Sequence, residues 1–354
     1  MRVPMVSVVI PVGGNRSNHL DKMDRCIESI MMQGYPNLEI ILVIDPDNFA
    51  VLDHEFVYPV RLIAFERDSR AVGRDTIARA VAGWDVAHGE ILGLTGVSLV
   101  WREDLLDRAM GMLLERGVAA VDGVTRRLPD GDRRFMAMFQ DEAFITEFPL
   151  YKKDFRLCGE TFAMDSRLPT LTSFLMTRKL YGRIRDKLPK YADDGWEDFD
   201  VARAIVDAGE AINCSNLLVA YRNHLPSLRL SKQFLSGMSC ATFYQRYPDN
   251  SYAQRRLSTA LKVSVMMMVM LLVGVGITAV AVSTDSVLML FLVIIAGCVA
   301  LGLLNSVKAK HWYGMFFPPL MFMQIAAWMA GFFYAGLNQG EFDSDFVRWL
   351  HSRR

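Results

Sequence analysis

Charged side chains are frequent up to about Lys262 and then nearly vanish until the tail after Leu337. This break constrains the chain more than any other feature, because it is the pattern of a polar folded domain followed by a membrane domain. Residues 261–283 are apolar apart from Lys262, Ser264 and Thr278. At about 1.5 Å per residue they are long enough to cross a hydrocarbon core of about 30 Å. Residues 287–304 form a second, shorter run and residues 312–337 a third. Pro318 and Pro319 are expected to kink the third or hold its first turns at the interface. Arg255, Arg256 and Lys262 precede the first run, Lys308 and Lys310 lie between the second and third, and the loop at Thr284 and Asp285 has no basic residue. The positive-inside rule then puts the amino-terminal domain in the cytoplasm and the tail outside. Arg348, Arg353 and Arg354 argue the other way, and a re-entrant third segment would return the tail inside. The expectation is a multi-pass protein of the cell membrane: a soluble domain over 1–225, an amphipathic interfacial linker over 226–257, a transmembrane region over 258–340 and a polar tail over 341–354.

Within the first 225 residues the pattern alternates. Val6 to Ile10 is a β-branched run stopped by Pro11 and the glycines at 13 and 14, as a buried parallel strand would be. Leu20, Met23, Ile27, Ile30 and Met31 recur at helical spacing, and residues 38–44 return to strand. Strands are predicted again over 60–65, 90–94 and 118–121, and helices over 73–88, 104–115 and 196–208. Strands alternating with helices of this length predict a parallel sheet covered on both faces, with ligands at the carboxyl ends of the strands. That rule points to residues 11–15, Asp45, 67–70 and 95–98. Thirty-nine basic residues balance thirty-nine acidic ones, so no basic face for a nucleic acid is indicated. Five widely spaced cysteines without a CxxC pair suggest neither zinc nor a disulfide framework, but reduced, buried thiols. The strand-like amino terminus is not followed by a cleavage site for a signal peptide.

Val6-Ser-Val-Val-Ile-Pro11, Arg25-Cys-Ile-Glu-Ser-Ile30 and Gln33-Gly-Tyr-Pro-Asn-Leu-Glu-Ile-Ile-Leu-Val-Ile-Asp45 resemble the opening of family 2 glycosyltransferases with the GT-A fold. Gly89-Glu-Ile-Leu92, Glu197-Asp-Phe-Asp200 before Ala208-Gly209, and Tyr221-Arg-Asn-His224 extend the resemblance over most of residues 5–250. It implies a Rossmann-like α/β domain, mostly parallel, and an inverting transfer from a nucleotide-sugar donor to a lipid-linked or cell-surface glycan acceptor. Such a transfer needs a nucleotide pocket, a counter-charge for the departing diphosphate and a carboxylate that takes the acceptor proton. The resemblance places Asp45 against the base or ribose, beside a wall of Pro11, Val12, Gly13 and Asn15, and it makes Asp198 the general base. Glu197, His224 and Arg178 are candidates for the acceptor or diphosphate. Plain alternatives exist: a turn at Asp45, helix-terminus electrostatics at Glu197 and Asp198, and a structural histidine at His224.

Departures from the pattern matter as much. Where the family carries an Asp-x-Asp pair for Mg²⁺ or Mn²⁺, this chain reads Thr95-Gly96-Val97, without a carboxylate. Hydroxyls do not hold a hard divalent cation with similar strength. Either basic side chains such as Arg67, Arg70, Arg74, Arg178 and Lys179 neutralise the diphosphate, or the chain is a catalytically inactive subunit that binds a partner or glycan. Gly73-Arg74-Asp75 echoes the family's helix start only in part, and no Gln-x-x-Arg-Trp sequence follows Asp198, which favours a single transfer over chain extension. Residues 228–247 mix Leu230, Phe234, Met238, Phe243 and Tyr244 with Arg229, Lys232 and Arg246. They are expected to lie along lipid headgroups and present a polyprenyl-phosphate-linked acceptor, or else to pack as a helix on the catalytic domain.

Overall fold

The computed structural model describes residues 2–13, 20–66, 75–115, 117–127, 154–162, 168–189, 197–222, 230–251 and 317–337, with isolated positions between 254 and 265. The chain divides into two compact units, one of Met1–Gly131 with Phe148–His224 and one of Asp132–Glu147 with Leu225–Arg354.

In the first unit the predicted alternation appears in order: β1 (Val6–Val12), α1 (Leu20–Met31), β2 (Leu38–Ile44), a short α2 (Phe49–Leu52), β3 (Arg61–Ala64), α3 (Thr76–Val86) and β4 (Ile91–Thr95). It continues as β5 (Leu99–Trp101), α4 (Leu105–Glu115), β6 (Ala120–Arg127), β7 (Phe155–Leu157), α5 (Gly159–Phe162), β8 (Ser173–Thr177), α6 (Arg178–Ile184), α7 (Glu197–Asp207) and β9 (Ile212–Arg222). The described strands form one sheet in the order β3-β2-β1-β4-β8-β6-β9-β5, with β7 also on β9. β3, β2, β1 and β4 run parallel. β8 then runs antiparallel to both β4 and β6, and β9 carries β5 and β7 antiparallel. The sheet expected to be mostly parallel is therefore mixed. The antiparallel strands are as short as three residues, and antiparallel pairing needs no crossover helix whose periodicity would announce it.

Side chains alternate between the faces of the sheet. Val9, Ile41, Leu92 and Phe174 pack against Trp84 of α3, Tyr181 of α6 and Ile205 of α7. Val8, Ile10, Leu42 and Leu175 pack with Ile27 of α1 and Leu106 of α4 in a second cluster. Gly209, at φ +77°, ends α7 in the left-handed conformation expected of its C′ residue.

In the second unit, α8 (Leu230–Arg246) packs on α9 (Phe317–Leu337). A Cβ on Gly237 would lie 1.8 Å from the Trp328 carbonyl oxygen, and one on Gly331 would lie 1.9 Å from that of Phe234. The two backbones thus touch where each helix offers no side chain. The rings of Phe234 and Tyr334 lie 5.8 Å apart, and Met238 and Ala335 are buried.

Here the expectation of a membrane region is corrected: among the described residues no helix is long and apolar enough to cross a membrane. The expected first and second spans lie outside the described residues, apart from isolated positions at the start of the first. The third is seen as α9, a continuous helix whose apolar sequence is broken by buried Gln324 and whose Gly331 and Tyr334 pack on α8. Apolar composition reports how much surface an element must cover, and a partner helix covers it as lipid would. The multi-pass membrane localisation expected from the sequence is corrected on the same finding.

Candidate active site

β1, β2 and β4 are parallel, so the residues that follow them meet at one edge of the sheet. That edge is organised by Arg79, on the second turn of α3. Its Nη1 donates to the Val12 carbonyl at the end of β1 (3.2 Å), and its Nη2 to Asp45 after β2 (2.5 Å) and Asp75 before α3 (2.9 Å). The guanidinium also lies 5.0 Å from the centre of the Phe65 ring, just past β3. Arg79 is only 3% exposed, and Asp45 and Asp75 are 18% and 15% exposed. Burial by itself would lower the Arg79 pKa, but the hydrogen bonds and charges of Asp75 and Asp45 raise it above the ordinary value. One buried cation thus ties the ends of three neighbouring strands to the start of α3.

Glu197 joins the same edge. It is buried at the start of α7, and its Oε1 accepts a hydrogen bond from the Ile77 amide in the first turn of α3 (3.4 Å). Asp198 follows it, half-buried, and its Oδ1 accepts from the Phe199 amide (3.0 Å). A carboxylate at the amino end of a helix is electrostatically favoured, and the two residues are set there by the start of α7.

The wall residues behave differently from one another. Pro11 and Val12 lie in β1, paired with Val43 and Ile44, and Val12 is buried. A Cβ on Gly13 would meet nothing within 4 Å. Thr95 is 1% exposed, and its hydroxyl is committed: it donates to the Thr172 carbonyl (2.8 Å) and accepts from the Trp101 indole (3.0 Å). The Gly96 carbonyl accepts from the Leu99 amide (3.0 Å) and from the Cys26 thiol (3.6 Å), whose pKa burial pushes up to about 12. Cys26, Cys158, Cys214 and Cys240 are free thiols, and Cys158 alone of these is not buried.

Arg178 is not brought to this edge. β8 runs antiparallel to β4, so the residue after β8 lies level with the start of β4. There Arg178 donates to the carbonyls of Gly89 (2.6 Å) and Ala87 (2.7 Å). Asn15, Arg67, Arg70, Arg74 and His224 lie outside the described residues.

The donor set for Mg²⁺ or Mn²⁺ does not fit at Thr95-Gly96-Val97, because the Thr95 hydroxyl is already bonded and no carboxylate stands beside it. Among the described residues, no group of three or more His, Cys, Asp or Glu is placed to hold a metal ion. Sequence reasoning missed Arg79, although its signal was present: a basic residue beside the buried stripe of Ile77, Ala80 and Trp84, four residues after Asp75. It also missed Asp122, a carboxylate that follows Ala120 and Val121 near the start of β6.

No protein-family model matches the chain, and no curated protein sequence matches it. Solved structures do. Two structures of S. aureus TarS align at TM-scores of 0.44 and 0.45, with 14% and 13% identity, over 68% and 69% of this chain and 65% and 43% of theirs. The mannosyltransferase PcManGT from Pyrobaculum calidifontis, solved with GDP-Man and Mn²⁺, aligns over 96% of this chain and 89% of its own at 16% identity and a TM-score of 0.57. The chain is similar in fold to that mannosyltransferase.

Proposed function

We propose that the chain is a glycosyltransferase that moves a single sugar, with inversion, from a nucleotide-sugar donor to a glycan or a polyprenyl-phosphate-linked acceptor. The observation that supports this most is the shared edge: Asp45 and the Glu197-Asp198 pair are linked through Arg79, Asp75 and the first turn of α3. In this reading Asp45 binds the base or ribose, and Pro11, Val12, Gly13, Asn15 and Gly96 shape the wall, with Thr95 behind it. Asp198 takes the proton of the acceptor hydroxyl as that oxygen attacks the anomeric carbon, while the bond to the diphosphate breaks and the nucleoside diphosphate leaves. Arg70, Arg74 and His224 are assigned the counter-charge to the leaving group, and Glu197 positions Asp198. No step is routed through a divalent metal.

The test is transfer and donor hydrolysis by purified protein across a panel of nucleotide sugars, with and without EDTA. Asp198→Asn is expected to lower kcat about 100-fold or more and leave donor affinity by calorimetry within a factor of about two. Absence of binding to any nucleotide sugar overturns the reading. Binding without transfer or hydrolysis favours the silent, glycan-binding subunit instead.

A further inference from the structure

Two strands from β4 in the sheet lies a buried carboxylate that the proposed chemistry does not use. Asp122 is fully buried in β6, and Oδ2 accepts hydrogen bonds from the amides of Thr170 (2.5 Å) and Leu171 (3.3 Å) and lies 3.3 Å from the Thr170 hydroxyl. Leu171 has φ +51°, the one positive value among the described non-glycine residues. A branched side chain in the left-handed region costs conformational energy, so the turn needs something to hold it. From Thr170 the contacts run outward. Its hydroxyl lies 2.7 Å from that of Thr172, the Thr172 carbonyl accepts from Thr95, and Thr95 accepts from Trp101. β6 itself is irregular here: its register with β9 shifts between Asp122 and Val124, and a Cβ on Gly123 would lie 2.2 Å from both Ser173 Oγ and the Leu218 carbonyl oxygen. Bulges of this kind re-aim a side chain beside a site.

We propose that Asp122 is a positioning residue for the donor site, holding the strained turn 170–172 and through it Thr95 and Gly96 at the carboxyl end of β4. The inference rests on the glycosyltransferase reading for its consequence, but the coupling itself does not. Asp122 touches no donor; it fixes the backbone on which the donor wall is built. Pushed up to about 6 by burial, against the opposing hydrogen bonds from Thr170, Leu171 and Gly123, its carboxyl can still accept from the two amides when protonated.

The experiment compares Asp122→Ala, Asp122→Asn and Thr170→Val well below their melting temperatures. Asp122→Ala is expected to raise the KM for the nucleotide sugar about ten-fold with kcat changed less than about three-fold, and Asp122→Asn to restore KM to within about two-fold. A lower melting temperature with KM unmoved in Asp122→Ala overturns the proposal. Hydrogen exchange, which needs no donor, reads the coupling directly: the amides at 170–172 and at 96–99 should exchange at least about ten-fold faster in Asp122→Ala, and those at 170–172 alone in Thr170→Val should quicken less. Unchanged exchange at 96–99 in Asp122→Ala overturns the proposal even if no sugar donor binds. If exchange changes as expected but the unaltered protein binds no nucleotide sugar, the positioning stands and the glycosyltransferase reading falls.

Discussion

At the scale of single residues the site edge depends on one buried cation. Arg79 faces two carboxylates, a carbonyl and an aromatic ring, a set that only a planar, multi-donor group satisfies together. Arg79→Met removes the cation and leaves Asp45 and Asp75 without it, a change that costs on the order of 3 kcal/mol when the pair is buried. Urea unfolding should record a loss of that order, and calorimetry should record at least a ten-fold weaker nucleotide sugar. Arg79→Lys keeps the charge but not the fork. It should fall between the two in stability, and a lysine variant as tight as the natural protein would show that charge alone fixes Asp45.

At the scale of elements, the sequence and the structure agree where periodicity is strong. α1, α3, α4 and α7 carry apolar residues at helical spacing, β1 and β2 are short runs rich in β-branched residues, and each was legible within a few residues of its ends. β5 and β7 have three residues each, too few to show an alternation, and β8 hides among hydroxyl-rich neighbours. The site divides in the same way. Asp45 and Glu197 were visible because they end or begin a periodic element, whereas Arg79 and Asp122 act from inside one, where a charge reads as an interruption. α9 was misread for a different reason: its apolar residues say nothing about what covers them. The contact between Gly237 and Gly331 says more, and Gly237→Val should force α8 and α9 apart because the added carbons meet the Trp328 carbonyl. Hydrogen exchange across residues 323–337 should then quicken at least ten-fold, with the residues of the sheet unaffected.

At the scale of the whole molecule, acidic groups pull stability in opposite directions as pH changes. The Asp122 pKa is about 6 in the folded protein against an ordinary 3.8, so folding is favoured as pH falls through 6 and Asp122 takes up its proton. The full difference is on the order of 3 kcal/mol. Glu39, Asp85 and Asp104 are lowered instead: burial opposes this in Glu39 and Asp85, but His88 and Ser7 hold the first, Arg185 and Tyr181 the second, and Arg102 and Arg108 hold Asp104. Their contributions are present above the ordinary carboxylate values and are lost as pH falls through their folded ones. Stability should therefore peak near pH 5, with a fall toward pH 7 that Asp122→Asn flattens, as thermal melts over pH 4–8 would record. The place of β8 bears on how the chain reaches this state. β4 and β6 both pair with β8, which arrives about 80 residues after β4 leaves the ribosome, as the register of Thr95 with Ser173 implies. Until then the parallel half has an open strand edge at β4, so nascent chains cut short before residue 173 should be held by chaperones or aggregate, and the sheet closes beside β4 only late in synthesis.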